Sequence, residues 1–263
     1  MNLKIDSLKD FLKSKKNLAI ALSGGLDSSA LLAASVDVLG KKNCLALVVV
    51  TPYMMTEEIN DAFALAKNLD VECVKIEIKR VPESIIKNPP DRCYKCKFEI
   101  FTKIILEAKA RGFNIVADGS NADDISDYRP GMRAIKELGV ISPLLECQLG
   151  KKEIRAIARN HKLDVAEKSA YACLLTRLEH GTQIDCETLN RIDNAENFLR
   201  ALSFKTVRVR LHGDCARIEI DSENFEKFFT LKEKILEKFE SLKFKHIALD
   251  IKGYSKGSMN EKS

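Results

Sequence analysis

The chain has 263 residues, a formal net charge of +5 and an apolar share of 45%, enough for one large domain or two smaller ones with a sizeable core. Its longest apolar run, residues 44–50, is too short to span a bilayer, and residues 1–6 lack the apolar core of a signal peptide, so a cytoplasmic location is expected and a membrane partner is not. The mild charge suits small anionic substrates and gives no strong argument for nucleic acid, while eight cysteines in a reducing compartment point to metal, sulfur chemistry or core packing ahead of disulfides.

Apolar runs predict strands over residues 18–22, 44–51, 71–78 and 114–117, and 3.6-residue periodicity predicts helices over 26–39, 56–69, 98–111 and 151–161. No element is assigned before residue 18. This alternation predicts an α/β fold, a doubly wound parallel sheet with helices on both faces. Ligands in such sheets sit at the C-terminal strand ends, at the points where Ser23–Ser29, Thr51-Pro52 and Asp118–Asp124 fall. Asp185 is a fitting helix N-cap and opens a second unit: a helix over 185–202, a hairpin of 206–211 and 216–220, a helical stretch over 223–239 and a last strand over 246–251. The tail from Gly253 is polar. The expected division is a nucleotide domain over 1–168, an active-site loop over 169–184 that carries Cys173, and a smaller α+β domain over 185–263 that binds substrate.

The most telling stretch is Ser23-Gly24-Gly25-Leu26-Asp27-Ser28-Ser29, where an apolar strand turns through glycines into a helix start. Glycines let backbone N–H groups approach an anion closely, and the helix N-terminus adds a positive field. Ser23, Ser28 and Ser29 supply further hydroxyl donors. No lysine follows the second glycine, which excludes a Walker A loop. Ser-Gly-Gly-x-Asp-Ser instead resembles the PP-loop of ATP pyrophosphatases, which break ATP between its α and β phosphates. The resemblance implies ATP and Mg²⁺, with Ser23, Gly24, Gly25, Ser28 and Ser29 around the phosphates and Thr51, Gly119 and Asp123 at the same edge. Asp27 is either a Mg²⁺ contact or a cap of the following helix.

Two further patterns carry chemistry. Pro89 and Pro90 forbid helix ahead of Cys93-Tyr94-Lys95-Cys96, whose two thiols can grip a metal ion or cluster or form a redox disulfide. A third thiol, Cys173, stands apart; with a fourth ligand such as His180 the set would suit zinc. Cys44, Cys73, Cys147, Cys186 and Cys215 lie in or beside apolar runs and read as small core residues. In the hairpin, Val207, Val209 and Leu211 alternate with Arg208, Arg210 and His212, so one face packs inward while the other presents these basic groups with Arg217 and Glu219. Arginine forks suit a substrate phosphate. In the preceding helix, Glu196 falls inside the apolar stripe of Leu189, Ile192 and Leu199 and needs a partner. That partner is either an arginine or a divalent cation shared with Glu219.

Together, the Ser-Gly-Gly-Leu-Asp-Ser loop, Asp91–Lys97, Asp118–Asp124, Asp127–Gly131, Ala172-Cys173-Leu174, Arg208–Asp214 and Lys252-Gly253-Tyr254 are similar to the LarE family over nearly the whole chain. The resemblance implies a PP-loop fold of the adenine nucleotide alpha hydrolase type and an ATP-dependent sulfur transferase of nickel-pincer cofactor synthesis. The implied substrate is a pyridinium-3,5-biscarboxylic acid mononucleotide, whose carboxylates become thiocarboxylates. In one branch of the family a single cysteine at the position of Cys173 sacrifices its sulfur. In the other, thiols matching Cys93, Cys96 and Cys173 hold a [4Fe-4S] cluster, and this chain matches that branch. Lys97 and Arg129 stand at positions implied to stabilise charge on the activated carboxylate. The family also implies a homo-oligomer; the sulfide donor is not legible. The rival readings are a tRNA thiolase of the same superfamily, an amide-forming synthetase and a nucleotide-binding regulator.

Overall fold

The computed structural model describes residues 3–126, 130–167 and 172–255. It divides into two compact units: Met1–Thr51, Thr56–Ser84 and Pro90–Tyr171 form the first, and Pro52–Met55, Ile85–Pro89 and Ala172–Ser263 the second.

The first unit opens with helix α1 (Leu3–Lys13), which buries Leu8 and Leu12 at i and i+4. The sequence reading assigned nothing here. Strand β1 (Leu18–Ala21) then leads into α2 (Leu26–Leu39), β2 (Cys44–Val50), α3 (Thr56–Asn68), β3 (Glu72–Glu77), α4 (Arg92–Ala110) and β4 (Val116–Ala117). Helices α5 (Gly131–Glu137), α6 (Pro143–Glu146) and α7 (Lys151–Asn160) complete it. The four strands pair in parallel in the order β3-β2-β1-β4. The chain leaves β1 toward one side and returns at β4 on the other, so the crevice between β1 and β4 is the switch point where such sheets take ligands. Because helices cover the sheet, β2 is buried along nearly its whole length. Ala30–Ser35 of α2 are buried too, and this helix forms the centre of the core with Leu18, Ile20, Ala46, Val48, Ile154 and Ile157.

The parallel α/β expectation holds, with two shifts. The strand expected over 114–117 shrinks to two residues. Helix α4 begins at Arg92, six residues before the expected start at Phe98, because nothing after Pro90 breaks a helix. Cys93, Cys96 and Lys97 therefore lie on its first two turns.

The second unit contains α8 (Cys186–Ala201), β5 (Val207–His212), β6 (Cys215–Ile220), α9 (Phe225–Thr230), α10 (Lys232–Ser241) and β7 (His246–Leu249). Asp185 caps α8 through a 2.9 Å bond from the Thr188 N–H. β5 and β6 form the antiparallel hairpin, and β7 adds in parallel to β6. The helical stretch expected over 223–239 is two helices broken at Leu231. Among the described residues no helix is long and apolar enough to cross a membrane.

Candidate functional site

The nucleotide edge of the first unit is built by backbone. Gly24 has φ +84°, and a Cβ there would lie 2.1 Å from the Glu58 carbonyl oxygen of α3, so only glycine fits. The Ser23 N–H donates to Ser28 Oγ at 3.2 Å, and the two hydroxyls meet at 3.0 Å. Ser23 Oγ accepts the Gly25 N–H at 3.3 Å, and Ser28 Oγ donates to the Gly25 carbonyl at the same distance. The serines thus hold the turn in shape. Gly25, at the N-cap position, brings no side-chain cap to α2, so the first-turn N–H groups keep their positive field. A Cβ on Gly119 would come within 2.8 Å of the Ser28 nitrogen, so the loop after β4 lies directly on this helix start. The two loops expected at one sheet edge do meet there. Thr51 is buried just past the end of β2.

Carboxylates line the same edge. Asp118 is buried and accepts from Ser120 N–H at 3.2 Å, Ser120 Oγ at 2.5 Å and Ser142 Oγ at 2.6 Å. Lys97 reaches it from α4, with Nζ 4.0 Å from Oδ2. Asp123 accepts the Lys151 N–H at 2.8 Å and so caps α7. The Nζ of Lys151 meets both oxygens of Asp27, at 2.7 and 2.5 Å. Asp27 is therefore held by a lysine and does not cap α2. The sequence reading did not single out Lys151. A signal existed: a cation in the first turn of a helix opposes the helix dipole and calls for another reason to be there. Arg129 lies outside the described residues.

The three candidate thiols are divided between the units. Cys93 is exposed and Cys96 half-buried on α4, while Cys173 is exposed in the second unit. Among the described residues no group of three or more His, Cys, Asp or Glu side chains is placed to hold a metal ion. Burial pushes the Cys44 thiol up to about 11 and raises Cys73 and Cys147 as well, as befits packing residues. Cys186 departs from the expected core placement: it is exposed at the first position of α8, and Cys215 is half-buried.

The second unit gathers arginines. Glu196 is fully buried and takes Arg177 Nε at 2.8 Å and Nη2 at 3.0 Å, Arg200 Nη2 at 2.7 Å and the Val209 N–H at 2.9 Å. Glu219, also fully buried, takes Arg210 through Nε at 3.2 Å and Nη2 at 3.0 Å, and Arg217 at 3.2 Å. Arg217 also donates to Asp250 at 2.6 Å. The divalent-cation reading of Glu196 and Glu219 is corrected by this arrangement: both carboxylates are already neutralised by guanidiniums. Burial alone would raise the Glu196 carboxyl, but Arg177, then Arg200 and Arg208, pull it below the ordinary carboxylate value.

The expected alternation of the hairpin is correct, but its polar face is not open. Arg208 is 6% exposed and Arg210 4%. Distant segments cover them: Arg210 Nη1 donates to the Thr176 carbonyl at 2.8 Å, and Arg208 lies 5.2 Å from the centre of the Tyr254 ring. Burial and then the like charge of Arg177 lower the Arg208 pKa. His212 Nδ1 pairs with Glu179 at 2.7 Å, and its Nε2 is buried with no hydrogen-bond partner among the described residues. Among the described residues, Arg177, Arg200, Arg210 and Arg217 thus pair with Glu196, Glu219 and Asp250, and the charge of Arg208 lies beside Glu196 and Arg177.

Residues 2–114 match the NAD synthase family. An uncharacterised protein of Synechocystis is 37% identical over 98% of this chain and 97% of its own. An uncharacterised protein of Methanocaldococcus jannaschii is also 37% identical, over 95% of this chain and 97% of its own. The pyridinium-3,5-bisthiocarboxylic acid mononucleotide synthase of Lactiplantibacillus plantarum is 33% identical over 95% of this chain and 91% of its own.

Proposed function

The chain belongs to the LarE family, and from that premise we propose that it is an ATP-dependent sulfur transferase acting on pyridinium-3,5-biscarboxylic acid mononucleotide, replacing carboxylate oxygen by sulfur on the route to a nickel-pincer cofactor. The observation that carries this reading is the match, over nearly the full length of both chains, to the L. plantarum synthase, whose name specifies a bisthiocarboxylic mononucleotide.

The geometry of the first unit supports the activation step. A carboxylate is a poor electrophile, because attack on it would have to expel oxide. One of its oxygens attacks the α-phosphorus of ATP, the bond to the bridging oxygen breaks, and pyrophosphate leaves. The Ser23–Ser29 turn is suited to hold the departing phosphates with backbone N–H groups and hydroxyls. Asp27 would hold Mg²⁺, which supplies neutralisation of phosphate charge when bound; the fit is supported by the cation that Asp27 already holds, Lys151 Nζ. Lys151 is then free to turn to a phosphate. Lys97, anchored near Asp118, and Arg129 are assigned to charge on the activated carboxylate.

In the second unit, Arg208, Arg210 and His212 are assigned to the phosphate of the mononucleotide. The two arginines and the histidine gathered on one strand, with His212 Nε2 buried and without a hydrogen-bond partner among the described residues, support an anion there.

For the sulfur step, the Cys173 thiolate attacks the acyl carbon and forms a C–S bond, and AMP leaves with the former carboxylate oxygen. Loss of the Cys173 Cα proton then breaks the Cβ–S bond and releases thiocarboxylate, leaving dehydroalanine. The [4Fe-4S] cluster of the three-cysteine branch would be held by Cys93, Cys96 and Cys173 and would supply a sulfide in place of the Cys173 sulfur. Its support is the residue match and the exposure of two of these thiols.

The test is to incubate oxygen-free protein with ATP and the biscarboxylated mononucleotide and to follow AMP, pyrophosphate and thiolated product by mass spectrometry. One AMP and one pyrophosphate per sulfur transferred is the expected result; thiolation without AMP would refute the reading. Whole-protein mass after turnover separates the sulfur sources. Loss of one H₂S from Cys173 identifies sacrifice, and unchanged mass with multiple turnovers and bound iron identifies the cluster.

A further inference from the structure

We infer that Asn88 is a positioning residue for Cys173, an assignment that rests on the sulfur-transfer role proposed for that thiol. Asn88 is fully buried within the second unit and adopts φ +44°, a left-handed conformation that asparagine tolerates better than most residues. Its Nδ2 donates to three main-chain carbonyls: Glu179 at 2.9 Å, Leu178 at 3.1 Å and Leu175 at 3.4 Å. Its own carbonyl accepts the Gly181 N–H at 3.2 Å, and two residues earlier the Ile86 carbonyl accepts the Ile184 N–H at 2.8 Å. Residues 85–89 thus run as a splint along 175–184.

The thiol end of the same segment is fixed from two further directions. The Tyr53 carbonyl accepts the Leu174 N–H at 3.1 Å and lies 3.6 Å from Cys173 Sγ. Arg177, locked onto Glu196, donates through Nη1 to the carbonyls of Ala172 at 2.8 Å and Cys173 at 3.3 Å. The main chain around Cys173 is pinned while its thiol stays exposed, the arrangement an attacking sulfur needs.

Three converging carbonyls repel one another unless a donor stands among them. A side-chain amide fits that point, whereas a carboxylate or a methyl group does not. The other end of the same amide tells the same story. Asn88 Oδ1 is buried with no hydrogen-bond partner among the described residues, so the side chain is placed for the carbonyls it holds and not for its own satisfaction.

The experiment compares Asn88→Gly and Asn88→Asp with the full-length parent protein. Glycine keeps the left-handed backbone and removes the amide; aspartate keeps the shape and turns the donor into an acceptor. The readouts are sulfur transfer, ATP–pyrophosphate exchange with the carboxylated substrate, and hydrogen exchange resolved by peptide. Both variants are expected to lose at least about ten-fold in the single-turnover rate of transfer, since small displacements of a reacting atom cost that much or more. Their KM for ATP and their pyrophosphate exchange stay within about two-fold of the parent, and faster hydrogen exchange is confined to residues 174–184. A parent-like transfer rate and protection in Asn88→Gly would overturn the assignment. So would loss of protection throughout the second unit, which would mean a purely structural role. Cys173→Ser, run in parallel, keeps the two claims apart. If that variant transfers sulfur normally, the role of Cys173 fails while the hydrogen-exchange comparison still tests the hold of Asn88.

Discussion

The Ser23–Ser29 turn and the Arg208–His212 strand, the two places proposed for phosphate groups, are made of opposite materials. The turn uses backbone N–H groups and hydroxyls, with glycines allowing close approach. The strand uses guanidiniums, each held by a buried carboxylate or a main-chain carbonyl. A backbone site loses function when a side chain is added, because the added atoms fill the space the anion and neighbouring chain need. A side-chain site loses function and stability together when a partner is removed, because its charges are buried.

The largest effect should come from Glu196→Ala. It strands the fully buried Arg177 and is expected to destabilise the second unit by about 3–5 kcal/mol, read by chemical denaturation, with the first unit's nucleotide affinity unchanged. The same carboxylate sets a pH dependence. Its folded pKa lies below the ordinary 4.5, so its contribution is complete above that value and is lost as pH falls through the lower folded value. The thermal midpoint of the second unit should hold steady from neutrality down to about pH 5 and then drop, and the drop should be smaller in Glu196→Ala. A steep loss near pH 7 would contradict this pairing.

Gly24→Val comes next. A branched side chain at φ +84° against the Glu58 carbonyl should displace the turn and weaken ATP binding by at least about 100-fold in calorimetry, while leaving the stability of the second unit alone. Removing the Lys151 side chain in Lys151→Ala should cost less, about ten-fold in ATP affinity, as expected for one charged contact. Unchanged affinity would leave Lys151 with a structural role only. The smallest effect is expected from Asp185→Ala, which deletes the cap of α8 at a cost of about 1 kcal/mol.

The same contrast explains what the sequence could show. A backbone site writes itself in glycines and serines at fixed spacing, so Ser23–Ser29 and the Asp118–Asp124 loop were legible, as was the parallel sheet in its apolar runs. Asp27 was singled out, but its partner was not, because Lys151 is 124 residues away. The hairpin's alternation was equally legible, yet its burial was not: Thr176 and Tyr254, which cover it, carry no local signal of that contact. The partner that Glu196 required was foreseen as arginine or metal, and only the fold selects Arg177. The early start of α4 escaped because Arg92–Lys97 is polar and shows no apolar period until Phe98.

The central claim, activation of a carboxylate as an acyl adenylate before sulfur arrives, is tested most directly by isotope transfer. The substrate is prepared with ¹⁸O in its carboxylates, turned over with unlabelled ATP, and the AMP is analysed by mass spectrometry. One ¹⁸O in each AMP, in step with thiocarboxylate formed, is the predicted result; thiolated product accompanied by unlabelled AMP would contradict it.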